Sequence, residues 1–180
     1  TITFNGTGQD TLIWDQTGEQ AAVLLDNTQF VTLNNMVIVN EKGSEAWGVL
    51  LINNSDGCTI SNTTILMDST STSSDNTAIL VSSDYDDDLT EGGDVDNLTI
   101  TGCTIVGGYY ALNLEGKATD DPSFDYIITD NEIRQFYIAA IYADELENIE
   151  ISRNTIFTDR GTSTGDGLYL LDINNYHIEG

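Results

Sequence analysis

A repeat organises this chain. Six apolar tetrads, each opened by Ala or Gly, start at Ala22, Gly48, Ala78, Ala111, Ala139 and Gly167, between 26 and 33 residues apart. They read Ala-Val-Leu-Leu, Gly-Val-Leu-Leu, Ala-Ile-Leu-Val, Ala-Leu-Asn-Leu, Ala-Ala-Ile-Tyr and Gly-Leu-Tyr-Leu. Self-similarity at a period of about 20–50 residues marks a stacked architecture, in which one unit cannot bury its apolar side alone.

A second series keeps step with the first. Val31-Thr32-Leu33-Asn34-Asn35-Met36-Val37-Ile38 returns at 58–65, 98–105, 126–133 and 149–156, and begins again at Tyr176-His177-Ile178. In each full copy two apolar residues at period two are followed, five positions on, by another. Period two belongs to strands, whose successive side chains point to opposite faces. A step of five breaks that parity, so the chain turns a corner there. The corner residues are Asn, Gly, Asp and Ser, which tolerate left-handed backbone or bond their own main chain. Each repeat therefore reads as three short strands, and stacked repeats pair them in parallel about 4.8 Å apart.

Coils of this kind, with Ile at the strand positions and Asn at the corner, resemble the right-handed parallel β-helix of the pectate-lyase-like superfamily. The resemblance runs from about Ile2 to Ile178. It implies an all-β, single-stranded β-solenoid of about six coils, three short strands to a coil, as one domain over residues 1–180. At the strand spacing of a sheet the rod is roughly 30 Å long. The fold hosts lyases, hydrolases, epimerases, adhesins and fibres, so the resemblance implies a scaffold and no single activity.

Charge limits the partners. Thirty acids stand against five bases, a formal −25. Lys42, Lys117, Arg134, Arg153 and Arg160 cannot build a basic face, which excludes nucleic acid and disfavours anionic membranes and polyuronates. No apolar run reaches the length of a membrane span. Cys58 and Cys103 fall at inward positions of different strands, which reads as two buried small hydrophobes and not as a disulfide.

The inserts carry most of the charge. Residues 84–97 hold Asp84, Asp86, Asp88 and Asp94 among other acids. They are the one candidate calcium site, since calcium takes about six to eight oxygens. Their spacing is not that of an EF-hand loop. The catalytic sets of enzymes with this fold are missing. Where epimerase-like sites carry Asp-Pro-His-Glu, this chain has Asp121-Pro122-Ser123-Phe124. The lone histidine, His177, reads as a surface residue, and no catalytic residue is assigned.

The tetrads predict an apolar outer strip. With Val23 and Leu25 inward, Ala22 and Leu24 point out, and the strip runs through Leu24, Leu50, Leu80, Ile141 and Tyr169. An exposed patch of that size marks a contact surface. The Thr32-type column is broken by Ile127, Glu150 and His177, which removes the regular array an ice-binding solenoid needs. Neither end of the sequence reads as a cap for the stack.

The expectation is therefore a non-catalytic extracellular or cell-surface solenoid, a segment of a fibre or adhesin that packs on itself head to tail or laterally. The alternative is a carbohydrate-active or glycan-binding β-helix, with Tyr109, Tyr110, Tyr137 or Tyr169 as stacking platforms.

Overall fold

The structure is a computed structural model that describes residues 1–15, 20–41, 46–83, 94–117, 122–160 and 165–180. The described residues form nineteen strands and no helix. The first coil is β1 (Ile2–Asn5), β2 (Thr11–Ile13) and β3 (Gln20–Asp26). The second is β4 (Val31–Asn34), β5 (Val37–Asn40) and β6 (Ala46–Ile52). The third is β7 (Thr59–Ser61), β8 (Thr64–Met67) and β9 (Asn76–Val81), and the fourth β10 (Thr99–Thr101), β11 (Thr104–Val106) and β12 (Tyr110–Glu115). The fifth is β13 (Ser123–Thr129), β14 (Glu132–Arg134) and β15 (Ala139–Asp144). The sixth is β16 (Leu146–Ser152), β17 (Thr155–Phe157) and β18 (Asp166–Leu171), and β19 (Asn174–Glu179) opens a seventh turn.

Every third strand pairs in parallel, giving one seven-stranded and two six-stranded sheets: β1-β4-β7-β10-β13-β16-β19, β2-β5-β8-β11-β14-β17 and β3-β6-β9-β12-β15-β18. This is the parallel β-solenoid of about six coils, three strands per coil, that the repeat predicts.

The interior is a set of columns. In the second sheet Ile38, Ile65, Ile105, Ile133 and Ile156 stack in register from coil to coil. In the first, Leu33, Ile60, Ile100, Ile128 and Ile151 do the same. Branched side chains suit a half-buried pleat and interlock along such a column. Cys58 and Cys103 are buried and unpaired within this core. Burial pushes the Cys103 thiol up to about 11.

The corners fall where the broken parity puts them. Asn35, Asn62, Gly102, Asp130 and Arg153, each between the first and second strands of its coil, all have φ between 48° and 64°. Arg153 is the unexpected member. Its guanidinium donates from Nε and Nη2 to the two oxygens of Asp130 on the coil below, each at 2.9 Å. That pair holds the Asp130 carboxyl below the usual carboxylate range.

One position past the corner the side chains turn inward, and the last two coils place asparagine there. Asn131 Nδ2 donates to the Ile100 carbonyl at 3.0 Å and to Asn154 Oδ1 at 2.9 Å, while its Oδ1 accepts from the Cys103 amide at 2.9 Å. Asn154 donates in turn to the Ile128 carbonyl at 2.7 Å. Coil-to-coil bonding by stacked Asn is thus realised inside the rod, where the buried amides of Asn131 and Asn154 find partners. Outside, Asn62 Nδ2 and Ser61 Oγ both donate to Asn34 Oδ1 at 2.9 Å.

The third strands depart from simple alternation. Val49, Ile79, Leu112 and Ile141 are in register and belong to the core, as do Leu51, Val81, Leu114 and Ala143 two positions on. Yet Ala78, Ala111 and Ala140, immediately before the first set, are in that core as well. The strand therefore bends at the small residue and turns two successive side chains inward. The position holds Ala or Gly, and at Gly48 there is no room even for a Cβ, which would meet the Ala78 carbonyl oxygen at 2.5 Å and Ile65 Cγ2 at 2.7 Å. Two expectations are corrected here. The Ala22-type column points in, not out, because the bend absorbs one residue of alternation. And Ile141 is not on the outer strip: Ala140, not Ala139, takes the small position, so Ile141 pairs with the inward Leu112 and Tyr142 takes the outward place beside Asn113.

Candidate functional site: the outer face of the third sheet

Three outward columns cross this sheet. The middle one runs Leu24, Leu50, Leu80, Asn113, Tyr142, Tyr169. The column before it runs Ala21, Trp47, Thr77, Tyr110, Ala139, Asp166, and the column after it carries Glu115, Asp144 and Leu171 over the last three coils. The face has two halves.

In the first half the strip is not exposed. Leu50 and Leu80 are buried, packed with Trp47 and Ile52 in a small apolar cluster outside the main core, with Ala21 against it. Of the strip residues in the middle column, only its ends reach solvent: Leu24 at 41 % and Tyr169 at 45 %. The flanking columns supply the reason. Large side chains at Trp47 and Ile52 close over the leucines between them, which the tetrads by themselves do not reveal.

The second half is aromatic and acidic. Tyr110 and Tyr142 have ring centroids 5.2 Å apart, and Tyr142 stacks on Tyr169 at 5.3 Å with 19° between planes. Tyr109 meets Tyr110 edge to face at 4.9 Å and continues to Tyr137 at 5.5 Å. These spacings follow from the coil repeat, and offset or edge-on pairs of this kind add to the burial of the rings. Arg160 ends the run. Its guanidinium lies 4.9 Å from the Tyr137 ring centroid and donates to the Ser71 carbonyl at 2.8 Å and, at 3.4 Å each, to those of Gly108 and Gln135. One side chain thereby ties its own coil to the three before it.

A cleft of about 400 Å³ opens on this half, lined by Tyr110, Ile138, Tyr142, Asp166, Tyr169 and Leu171. Carboxylates crowd its margin. Glu115 and Asp144 are partners on adjacent coils, and Asp144 Oδ2 accepts from the Tyr142 hydroxyl at 3.4 Å. Asp144 Oδ1 is buried and has no hydrogen-bond partner among the described residues. Burial, then the neighbouring Glu145 carboxylate, raises the Asp144 pKa. Burial, then Glu115 and Asp144, raises that of the Tyr142 phenol, which stays protonated at neutral pH.

A pH dependence follows from Asp144. Its folded pKa lies above its unfolded one, so the folded state takes up the proton first. Stability therefore grows as pH falls into the window above the ordinary carboxylate pKa, and is lost as pH climbs through the raised value. Asp144→Asn is expected to raise the melting temperature at pH 7 and to flatten its rise between pH 7 and 5, both read by circular dichroism.

The remaining expectations fall elsewhere. Asp84, Asp86 and Asp88 lie outside the described residues. Asp94 faces Lys117, with Nζ 3.6 Å from Oδ2. Among the described residues no three His, Cys, Asp or Glu side chains gather as a metal site. His177 is exposed and 3.4 Å from Glu179. Of the expected platforms only Tyr169 is exposed; Tyr109 and Tyr137 are half-buried and Tyr110 is buried. Tyr142, at the centre of this face, escaped the reading because the pair Ala139-Ala140 leaves the register open by one residue.

The fold defines a parallel β-solenoid with one aromatic and acidic patch on its third sheet. Comparison with protein families, curated proteins and solved structures finds no match for the chain.

Proposed function

We propose that this chain is a non-catalytic structural solenoid of the pectate-lyase-like kind, a segment of an extracellular fibre or adhesin that extends by stacking coil on coil. The observation that carries it is the uniformity of the stack. The same registers and apolar columns run through every coil, with Leu33, Ile60, Ile100, Ile128 and Ile151 in one line, so any coil is a template for the next, in the same polypeptide or in another copy. Unpaired edges over an apolar cross-section are templates for further strands. Docking in the same sense at both ends is heterologous and gives an open filament. The strong negative charge supports a soluble surface role and opposes lateral clumping.

Electron microscopy of the purified protein, with and without EDTA, tests this. Rods with an axial repeat of roughly one molecule, about 30 Å, are the expected result, and their loss in EDTA would bring calcium into the contact. Dispersed monomers at high concentration in both conditions would overturn self-stacking.

A second reading rests on a separate observation. The cleft beside Tyr110, Tyr142 and Tyr169 is the concave, largely aromatic, polar-rimmed kind of site that holds small polar ligands. Phenol hydroxyls and carboxylates are groups that bond sugar hydroxyls, which favours a glycan-binding role for this face.

A further inference from the structure

Resting on the glycan-binding reading, we infer that the cleft takes the ammonium group of an amino-sugar residue, so that the glycan recognised is cationic. Among the described residues the lining carries one charge, the Asp166 carboxylate, and three phenol rings, and no basic side chain. Asp144 stands next to it, bonded through Oδ2 to the hydroxyl of the lining Tyr142. Arg160, at the far end of the tyrosine run, is engaged by three backbone carbonyls and the Tyr137 ring.

A primary ammonium has three N–H donors to place. Asp166 offers one acceptor in the cleft, and the tyrosines that line it bring hydroxyl oxygens that also accept. A neutral sugar leaves the negative field of the site uncompensated, and a uronate is repelled by it. Because Tyr142 and Tyr169 lie face to face, the ring faces between them are already covered. What that pair presents to a ligand is its rim, where phenol oxygens accept from N–H donors. A volume of about 400 Å³ sits at the small end of ligand pockets and matches one or two sugar residues.

The test is isothermal titration of the whole chain with the tetramer of β-1,4-linked glucosamine and with the N-acetylated tetramer of equal length. The expected result is binding of the glucosamine tetramer at least tenfold tighter than the acetylated one, with that margin lost in Asp166→Asn and weakened by added salt. Equal affinity for both tetramers would overturn the ammonium inference and leave glycan binding standing. Binding of neither would remove both readings. Should Asp166→Asn fail to fold, the half-exposed Tyr169→Ala serves. Undiminished binding in a folded variant of either kind would place the sugar elsewhere and overturn the inference.

Discussion

Gly116→Ala is expected to destabilise the solenoid by about 3 kcal/mol or more, at the upper end of what overpacking costs. Gly116 follows β12, where the chain of one coil passes against the next. Its amide donates to the Asp144 carbonyl at 2.9 Å, and a Cβ built on it would lie 2.0 Å from the Glu145 carbonyl oxygen and 2.7 Å from the carbon behind it. Both are backbone atoms, held by the parallel pairing of β12 with β15. No side-chain rotation can relieve the contact. The two coils must separate locally, and in a solenoid the interface between neighbours is the unit of stability. Urea denaturation followed by circular dichroism should show the loss, with Gly180→Ala unchanged because nothing lies near it. A Gly116→Ala midpoint equal to that of the parent would mean that this coil contact is not as close as described.

Asn131→Ala is the second large effect, about 2–4 kcal/mol from several buried hydrogen bonds lost at once. The asparagine is buried. Removing its amide strands the Cys103 N–H, the Ile100 carbonyl and one acceptor position on Asn154, all away from water. Leaving such groups without partners costs more than the bonds themselves contribute. Asn131→Asp should be destabilising as well, because it keeps the acceptor for Cys103 but loses both donors and buries a charge. The exposed Asn5→Ala, which removes only an outer rung beneath Asn34, should be close to neutral. Equal midpoints for Asn131→Ala and Asn5→Ala would deny the inner ladder its structural weight.

The sequence by itself determined the coil. Alternating apolar residues at Leu33, Ile60, Ile100 and Ile128 demand strands. The five-residue step to Ile38, Ile65, Ile105 and Ile133 demands a corner, and Asn35, Asn62 and Gly102 can adopt its left-handed backbone. These are properties of single residues and near neighbours, and repetition states them six times over. The burial of both cysteines followed from the same columns. The tertiary structure alone decided the outer face. Which of Ala139 and Ala140 fills the small position depends on hydrogen-bonded register with β12 and β18, and one residue of shift exchanges Ile141 for Tyr142 at the site. Whether Leu50 and Leu80 meet water depends on side chains in flanking columns, Trp47 and Ile52 among them, which no periodicity relates to them. The inward pattern is legible because every coil must satisfy the same core. The outward one is not, because each coil is free there to differ from the next.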